Sequence, residues 1–460
     1  MGAGVPPTHD RRGSQARPTA GGLAPSPRSV GRLPAGPTQI LNTSTPVVVL
    51  KFNHGALGIA RSLGRLGIAV YGVHANLDAP AMRSRHLRGR LAWDVERSPA
   101  SDTVDLLLQL GRRLGRSAIL IPISDRTALF VDDNAEALRE RFLFPRLPPQ
   151  LAATLISKQA SHFLARSVGV SVPTAVFPRN REGVLRFLET AAFPVVLKGV
   201  DGSRLAEQHG LRLVIANGPG ELLEHYDALE EPQQPNLMLQ EYVPGGEDGT
   251  WMFNGYFDRN SECLFGLCGR KLRQTPAYAG SASLAVCLRN DTVESIALRF
   301  LKAVRYQGIV DVDFRFDARD GSYKLLDVNP RIGSTFRLFV SGSGMDVARA
   351  LYLDLTGQPV VADAPVYERK WIIEDWDLES FLRYRRDGRL KLGQWLGSLR
   401  GVRETAWFAL DDLAPGLAIL AESLARLLRW LGRRLLGRRA NRPPADELAA
   451  EPGRSGRAGS

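Results

Sequence analysis

Two neighbouring stretches, Gly308-Ile309-Val310-Asp311-Val312-Asp313-Phe314 and Asp327-Val328-Asn329-Pro330-Arg331, decide how the rest of this 460-residue chain is read. Each alternates an acid or amide with an apolar residue, which is the period-2 pattern of a half-buried strand. Asp311 and Asp313 then share one face, Asp327 and Asn329 share one face of theirs, and the turn from Asp317 to Ser322 lets the two strands pair as a hairpin. Carboxylates and an amide oxygen are the hard donors that magnesium takes, usually together with phosphate oxygens and water. A polar hairpin turned to solvent carries the same alternation. Pro330-Arg331 favours the metal, because it sets a guanidinium suited to phosphoryl oxygens directly beside the cluster.

Asp327-Val328-Asn329-Pro330-Arg331 resembles the acid-x-Asn-Pro-Arg signature of the ATP-grasp superfamily, with Asp at both acid positions where many members have Glu. The resemblance implies that Asp313, Asp327 and Asn329 hold magnesium, with manganese as the alternative ion, and that Arg331 acts on the phosphates. Further pieces stand upstream in the family's order, over roughly residues 46 to 360. Lys158 and Lys198 resemble its two phosphate-binding lysines, and an ammonium is a point charge suited to phosphate. Leu239-Gln240-Glu241-Tyr242-Val243-Pro244-Gly245-Gly246-Glu247 is similar to its adenine hinge. There, backbone groups near Glu241 and Val243 would read the base and Glu247 would accept from the ribose. Residues 201 to 210, with Gly202, Ser203 and Gly210, resemble the flexible loop that covers the phosphates. Arg270, next to Lys271, is the residue implied to steady an acyl phosphate.

Before this region, Val47-Val48-Val49-Leu50, Gly67 to Val73 and Ala118 to Ile123 read as buried strands, with helices from Ile59 to Leu66 and Val104 to Leu114 between them. Strand, helix, strand in repetition predicts a parallel sheet. Gly55-x-x-Gly58 after the first strand lacks the third glycine of a dinucleotide fingerprint, and no acid ends the second strand, so these read as turn glycines. By resemblance this unit is a Rossmann-like pre-ATP-grasp domain. Ser124-Asp125 ends one of its strands, where such sheets place ligand contacts.

The expected fold class is α/β and α+β. A disordered tail (1–45) precedes the Rossmann-like pre-ATP-grasp domain (46–150) and a two-lobed ATP-grasp domain (151–360). A C-terminal helical extension (361–440) and a second disordered tail (441–460) follow. The Pro-rich break at Phe144 to Pro149 marks the first boundary. Three cysteines, Cys263, Cys268 and Cys287, have no metal-ligand spacing and cannot all pair, which fits a reducing, cytoplasmic setting. The N-terminus has no apolar core of signal-peptide length. The net charge of +12 lies mostly in the ends: residues 1–45 carry +4 and residues 413–460 carry +5, leaving +3 for residues 46–412. That balance gives no basic groove for nucleic acid.

Leu413, Leu417, Leu420, Leu424, Leu427, Leu428, Leu431 and Leu435 recur at helical spacing among Arg426, Arg429, Arg433, Arg434, Arg438 and Arg439. The longest charge-free run, Leu413 to Ala421, is too short to span a bilayer. A basic amphipathic helix over 413–439 fits peripheral contact with the inner face of an anionic membrane, packing on its own domain, or a homodimer contact. For the whole chain, the resemblance implies an ATP-dependent carboxylate-amine ligase working through an acyl phosphate on small-molecule acid and amine substrates. A kinase or carboxylase of the same fold, or a nucleotide-binding scaffold without turnover, would use much the same residues.

Overall fold

The computed structural model describes residues 42–440, except Arg212, Gly245, Glu247, Asp248, Ala279 and the side chains of Leu427 and of residues 430–440. Five strands form the first sheet: β1 (Val47–Leu50), β2 (Val70–His74), β3 (Leu87–Ala92), β4 (Ala118–Pro122) and β5 (Phe142–Leu143). They are all parallel in the order β3-β2-β1-β4-β5, as the strand-helix repetition predicts. β1 is buried along its whole length, which is why it reads as an unbroken apolar run. The strand order reverses between β1 and β4, so a crevice opens at their carboxyl ends. There Lys51 Nζ meets Glu96 at 2.7 Å, and Ser124 Oγ donates to the same carboxylate at 2.6 Å while capping the helix Asp125–Asp133. Residues 42–45, expected within the disordered tail, are tied down instead. The Asn42 N–H donates to Gln358, and Tyr352 Oη donates to the Thr45 carbonyl. Residues 1–41 and 441–460 lie outside the described residues.

A small antiparallel sheet follows: β6 (Ala175–Val176), β7 (Val195–Gly199), β8 (Leu213–Ala216) and β9 (Leu237–Glu241), in the order β6-β9-β7-β8. Val195, Leu197 and Leu239 pack on Val184, Leu222 and Tyr226 of two covering helices. Residues 201–210, expected as a mobile hairpin loop, contain the helix Gly202–His209. Its caps explain the difference: the Asp201 carboxylate accepts from the N–H groups of Ser203 and Arg204, and Gly210 closes the far end at φ +67°. Arg204 also binds Glu231 at 2.8 Å. Two helices, Leu151–Ile156 and Lys158–Ser167, lead into this sheet, separated where Ser157 leaves the helical conformation and caps the second. Lys158 thereby starts a helix rather than sitting inside one.

The large sheet comprises β10 (Thr250–Phe257), β11 (Cys263–Thr275), β12 (Ser281–Cys287), β13 (Gly308–Asp317), β14 (Ser322–Asn329), β15 (Lys370–Ile372) and β16 (Val402–Thr405). Its order is β14-β13-β10-β11-β12-β15-β16, antiparallel except between β15 and β16. The last two strands come from the region expected to be a separate extension, so the sheet runs on past residue 360. Phe253, Val310, Val312 and Phe314 line one face and pack with Val293, Ala297 and Phe300 of the helix Asp291–Ala303. Met252, Tyr256 and Leu267 on the other face join a core with Ala56, Ile59 and Leu63 of the helix His54–Gly64. Buried ion pairs lock the C-terminal segment into this core: Arg61 to Asp412 at 3.0 Å and Arg273 to Asp377 at 2.7 Å. All three cysteines are free thiols, and burial pushes those of Cys263 and Cys287 up to about 12.

Candidate active site

The hairpin of β13 and β14 pairs as alternation requires. Asp313 lies opposite Asp327, and Asp311 lies opposite Asn329. On its other side β13 pairs with β10, placing Met252 beside Asp313 and Asn254 beside Asp311. Met252, Asp311, Asp313, Asp327 and Asn329 form one wall of a cleft of about 350 Å³. Lys198 on β7 and Gln240 on β9 line it from the small sheet, and Asp125 lines it from the carboxyl edge of the first sheet. The two antiparallel sheets and the helix that follows β4 therefore contribute side chains to one space.

Positive and negative groups alternate along this wall. Lys158 Nζ donates to both oxygens of Asp327 at 2.8 Å, and Lys271 Nζ donates to Asp313 at 2.8 Å. Arg331 reaches Asp125 at 2.9 Å through Nε and Asn329 Oδ1 at 3.0 Å through Nη2. Burial works to raise the Asp327 carboxyl, yet Lys158 and Lys198 hold it below the ordinary carboxylate range. Lys198 is lowered to about 8, first by burial and then by the neighbouring charge of Lys158. Asp311 is raised to about 7 by burial and by Asp313. Its Oδ1 is buried and makes no hydrogen bond among the described residues. Gly333, after the Asn-Pro-Arg turn, passes so close that a Cβ there would sit 2.4 Å from the Asp311 carboxylate, so a larger residue would push that carboxylate aside.

Asp313, Asp327 and Asn329 supply two carboxylates and an amide oxygen from adjacent positions of one hairpin. Magnesium is held well by a few hard oxygens that leave room for phosphate and water, and manganese accepts the same donors. The residues present thus fit such an ion. Among the described residues no third acid, histidine or cysteine completes a metal cluster with these groups.

Lys158, Lys198, Arg331, Asp313, Asp327 and Asn329 come together in the cleft, as does Val243. Arg270 does not. It pairs with Trp251 and Val286, and the period of two turns it to the face that carries Phe253 and Cys268. Lys271, one residue on, occupies the cleft position expected of Arg270. The Glu241 side chain accepts from the Thr174 N–H at 2.7 Å and from Arg319 at 2.7 Å, which fixes the start of the hinge. The Val243 carbonyl accepts from Arg315 Nε at 2.6 Å. Glu247 lies outside the described residues. Arg315 escaped the sequence reading, although it stands two residues beyond Asp313 and shares its face. It also donates to Thr250 Oγ1 and lies over the Tyr242 ring, holding the hinge against the large sheet. Asp125 gained its place through Arg331, from 206 positions away in sequence.

No family model matches the chain. It is 22% identical over 319 residues to a D-aspartate ligase of Enterococcus faecium, a match covering 66% of this chain and 74% of that one. In overall structure it is similar to N5-carboxyaminoimidazole synthetase of Staphylococcus aureus complexed with ADP. That likeness has a TM-score of 0.56 at 13% identity and covers 72% of this chain and 82% of the other. An L-amino acid ligase of Bacillus licheniformis superposes with a TM-score of 0.52 at 15% identity, over 70% of this chain and 75% of that one.

Proposed function

We propose that the chain is an ATP-dependent carboxylate-amine ligase of the ATP-grasp superfamily. The observation that carries this reading is the convergence of Asp313, Asp327 and Asn329 with Lys158, Lys198 and Lys271 in one cleft bounded by the two antiparallel sheets and the helix that follows β4. In such a reaction a substrate carboxylate oxygen attacks the γ-phosphorus of ATP and ADP leaves. The amine nitrogen then attacks the carbonyl carbon of the acyl phosphate, phosphate departs, and the amine gives up a proton. Spreading negative charge dominates the first step, so fixed cations are its main requirement.

Lys158 and Lys198 stand on the small-sheet side and would bind phosphate oxygens. Lys271, from β11, would take the transferred phosphoryl group in place of Arg270. Arg331, held by Asp125, would be aimed at the reacting carboxylate from the first-sheet side. A magnesium ion bound by Asp313, Asp327 and Asn329 would neutralise phosphate charge. The hinge residues Glu241 and Val243 would flank the adenine. The similarity to a protein named D-aspartate ligase makes D-aspartate the first acid to offer. The test is ADP release in magnesium with pooled amino acids that include D-aspartate, comparing the natural chain with Asp327→Ala. Acid-stimulated release that the substitution abolishes is the expected result. ATP binding without turnover on any acid would point to a scaffold instead.

A further inference from the structure

The helix Leu413–Ala440 is held at its base and bare along its length. Asp412, just before it, is buried against Arg61 and accepts from Ser84 Oγ at 2.7 Å, while Asp411 pairs with Arg65 at 2.7 Å. In its first two turns Pro415, Gly416 and Ile419 are buried, and Gly416 sits so close to Phe408 that a Cβ would come within 2.5 Å of the ring. Beyond Ile419 no described residue of the helix is buried. At about 100° per residue, the buried trio and the leucines lie roughly 130° apart around the axis. The leucine stripe is therefore not the surface that packs on the protein. Leu413, Leu417, Leu420, Leu424 and Leu428 are each 49–59% exposed, and Leu410 just before them is 97% exposed.

From Ser423 to Ala440 the sequence has six arginines and no acid. Arg426 and Arg429 are exposed and lie roughly opposite the leucine stripe at about 100° per residue. The geometry points to an anionic lipid surface as the occupant of this stripe, with the leucines in the acyl boundary and the arginines among acidic headgroups. Charge chooses this occupant over a second copy. Two such helices packed in parallel through the stripe would bring their arginine-rich halves together, with no acid between Ser423 and Ala440 to compensate. Acidic headgroups supply the missing counter-charge. Among the described residues no helix is long and apolar enough to cross a membrane, so the contact is with the surface. The inference stands apart from the proposed ligase activity, since it uses none of the cleft residues.

The experiment is co-sedimentation of the full chain with vesicles of phosphatidylglycerol and phosphatidylcholine, and with vesicles of phosphatidylcholine alone. The unaltered chain is expected to sediment with the anionic vesicles, less so at high salt, and to stay in solution with the neutral ones. Leu417→Glu combined with Leu424→Glu should reduce the bound fraction at least ~10-fold. Both sites are exposed, and an unchanged circular dichroism spectrum will show that the variant folds. Three results would overturn the inference: no binding of the unaltered chain to anionic vesicles, equal binding by the double variant, or a dimer in solution that the double variant abolishes. The second would move the contact to arginines elsewhere, and the third would make the stripe a protein interface.

Discussion

The cleft and the clamp that fastens the C-terminal segment are both built from partly or fully buried ion pairs, but from different residues. The clamp uses arginine forks. Arg273 binds both oxygens of Asp377, whose side chain is fully buried, and Arg61 adds the carbonyls of Ala406 and Trp407 to its bond with Asp412. Arg337 spans Asp346 and Glu404. In the cleft, lysines hold the two central acids, and the carboxylates keep part of their surface: the Asp327 side chain is 35% exposed and that of Asp313 is 21% exposed. A satisfied fork fixes geometry and leaves no capacity for a ligand. A lysine beside a half-open carboxylate can swing a point charge from that carboxylate to a phosphate oxygen. The distinction separates pairs that hold the fold from pairs that await a substrate.

Substitutions should divide along the same line. Asp377→Ala leaves Arg273 buried without its counter-charge and should cost ~3–5 kcal/mol of stability, seen as a lower denaturant midpoint. Asp327→Ala should abolish turnover yet lower stability by less than ~1 kcal/mol, because the pair is partly exposed. Equal losses of stability in the two variants would erase the contrast. Next in size, Lys271→Ala should lower kcat/KM about 100-fold, whereas Arg270→Ala, on the far face of β11, should leave it within about 2-fold. The reverse order would return the acyl phosphate role to Arg270.

The smallest effect is one of pH. Lys198 carries its charge only below about 8, against 10.5 for a free lysine. The kcat/KM for ATP should fall as pH rises through that value, and Lys198→Arg should flatten the profile. Stability has the opposite sign. The unfolded chain keeps this proton to higher pH than the folded one, so Lys198 burdens the fold below about pH 8, and the burden lifts between 8 and 10.5. An ATP profile with no inflection in this range would remove Lys198 from the phosphate site.

Much of this site was legible in the sequence because its chemistry is local. Alternation alone put Asp311 with Asp313 and Asp327 with Asn329, and a short turn forced their strands to pair. The choice between Arg270 and Lys271 was not legible. Two adjacent bases on one strand point to opposite faces, and which one meets the cleft depends on β11's register with β10 and β12. The helix at Gly202–His209 was signalled by Asp201 and Gly210 as caps, although the glycines and polar residues between strands read as a loop. β12 was passed over because Ser281-Ala282-Ser283-Leu284-Ala285-Val286-Cys287 is nearly all buried and shows little polar alternation. β15 and β16 are three and four residues long and exist only because β12 offers an edge. The Arg331–Asp125 pair joins the turn after β14 to the helix after β4, which no local pattern could announce.

The central claim is that the cleft transfers the γ-phosphoryl group of ATP to a carboxylate. Amino acids labelled with ¹⁸O in their carboxylates, D-aspartate first, test it most directly, with mass analysis of the phosphate released in magnesium. An acyl phosphate leaves one carboxylate oxygen on phosphorus, so each turnover should yield phosphate carrying one ¹⁸O. Acid-stimulated ADP release that yields only unlabelled phosphate would contradict the account.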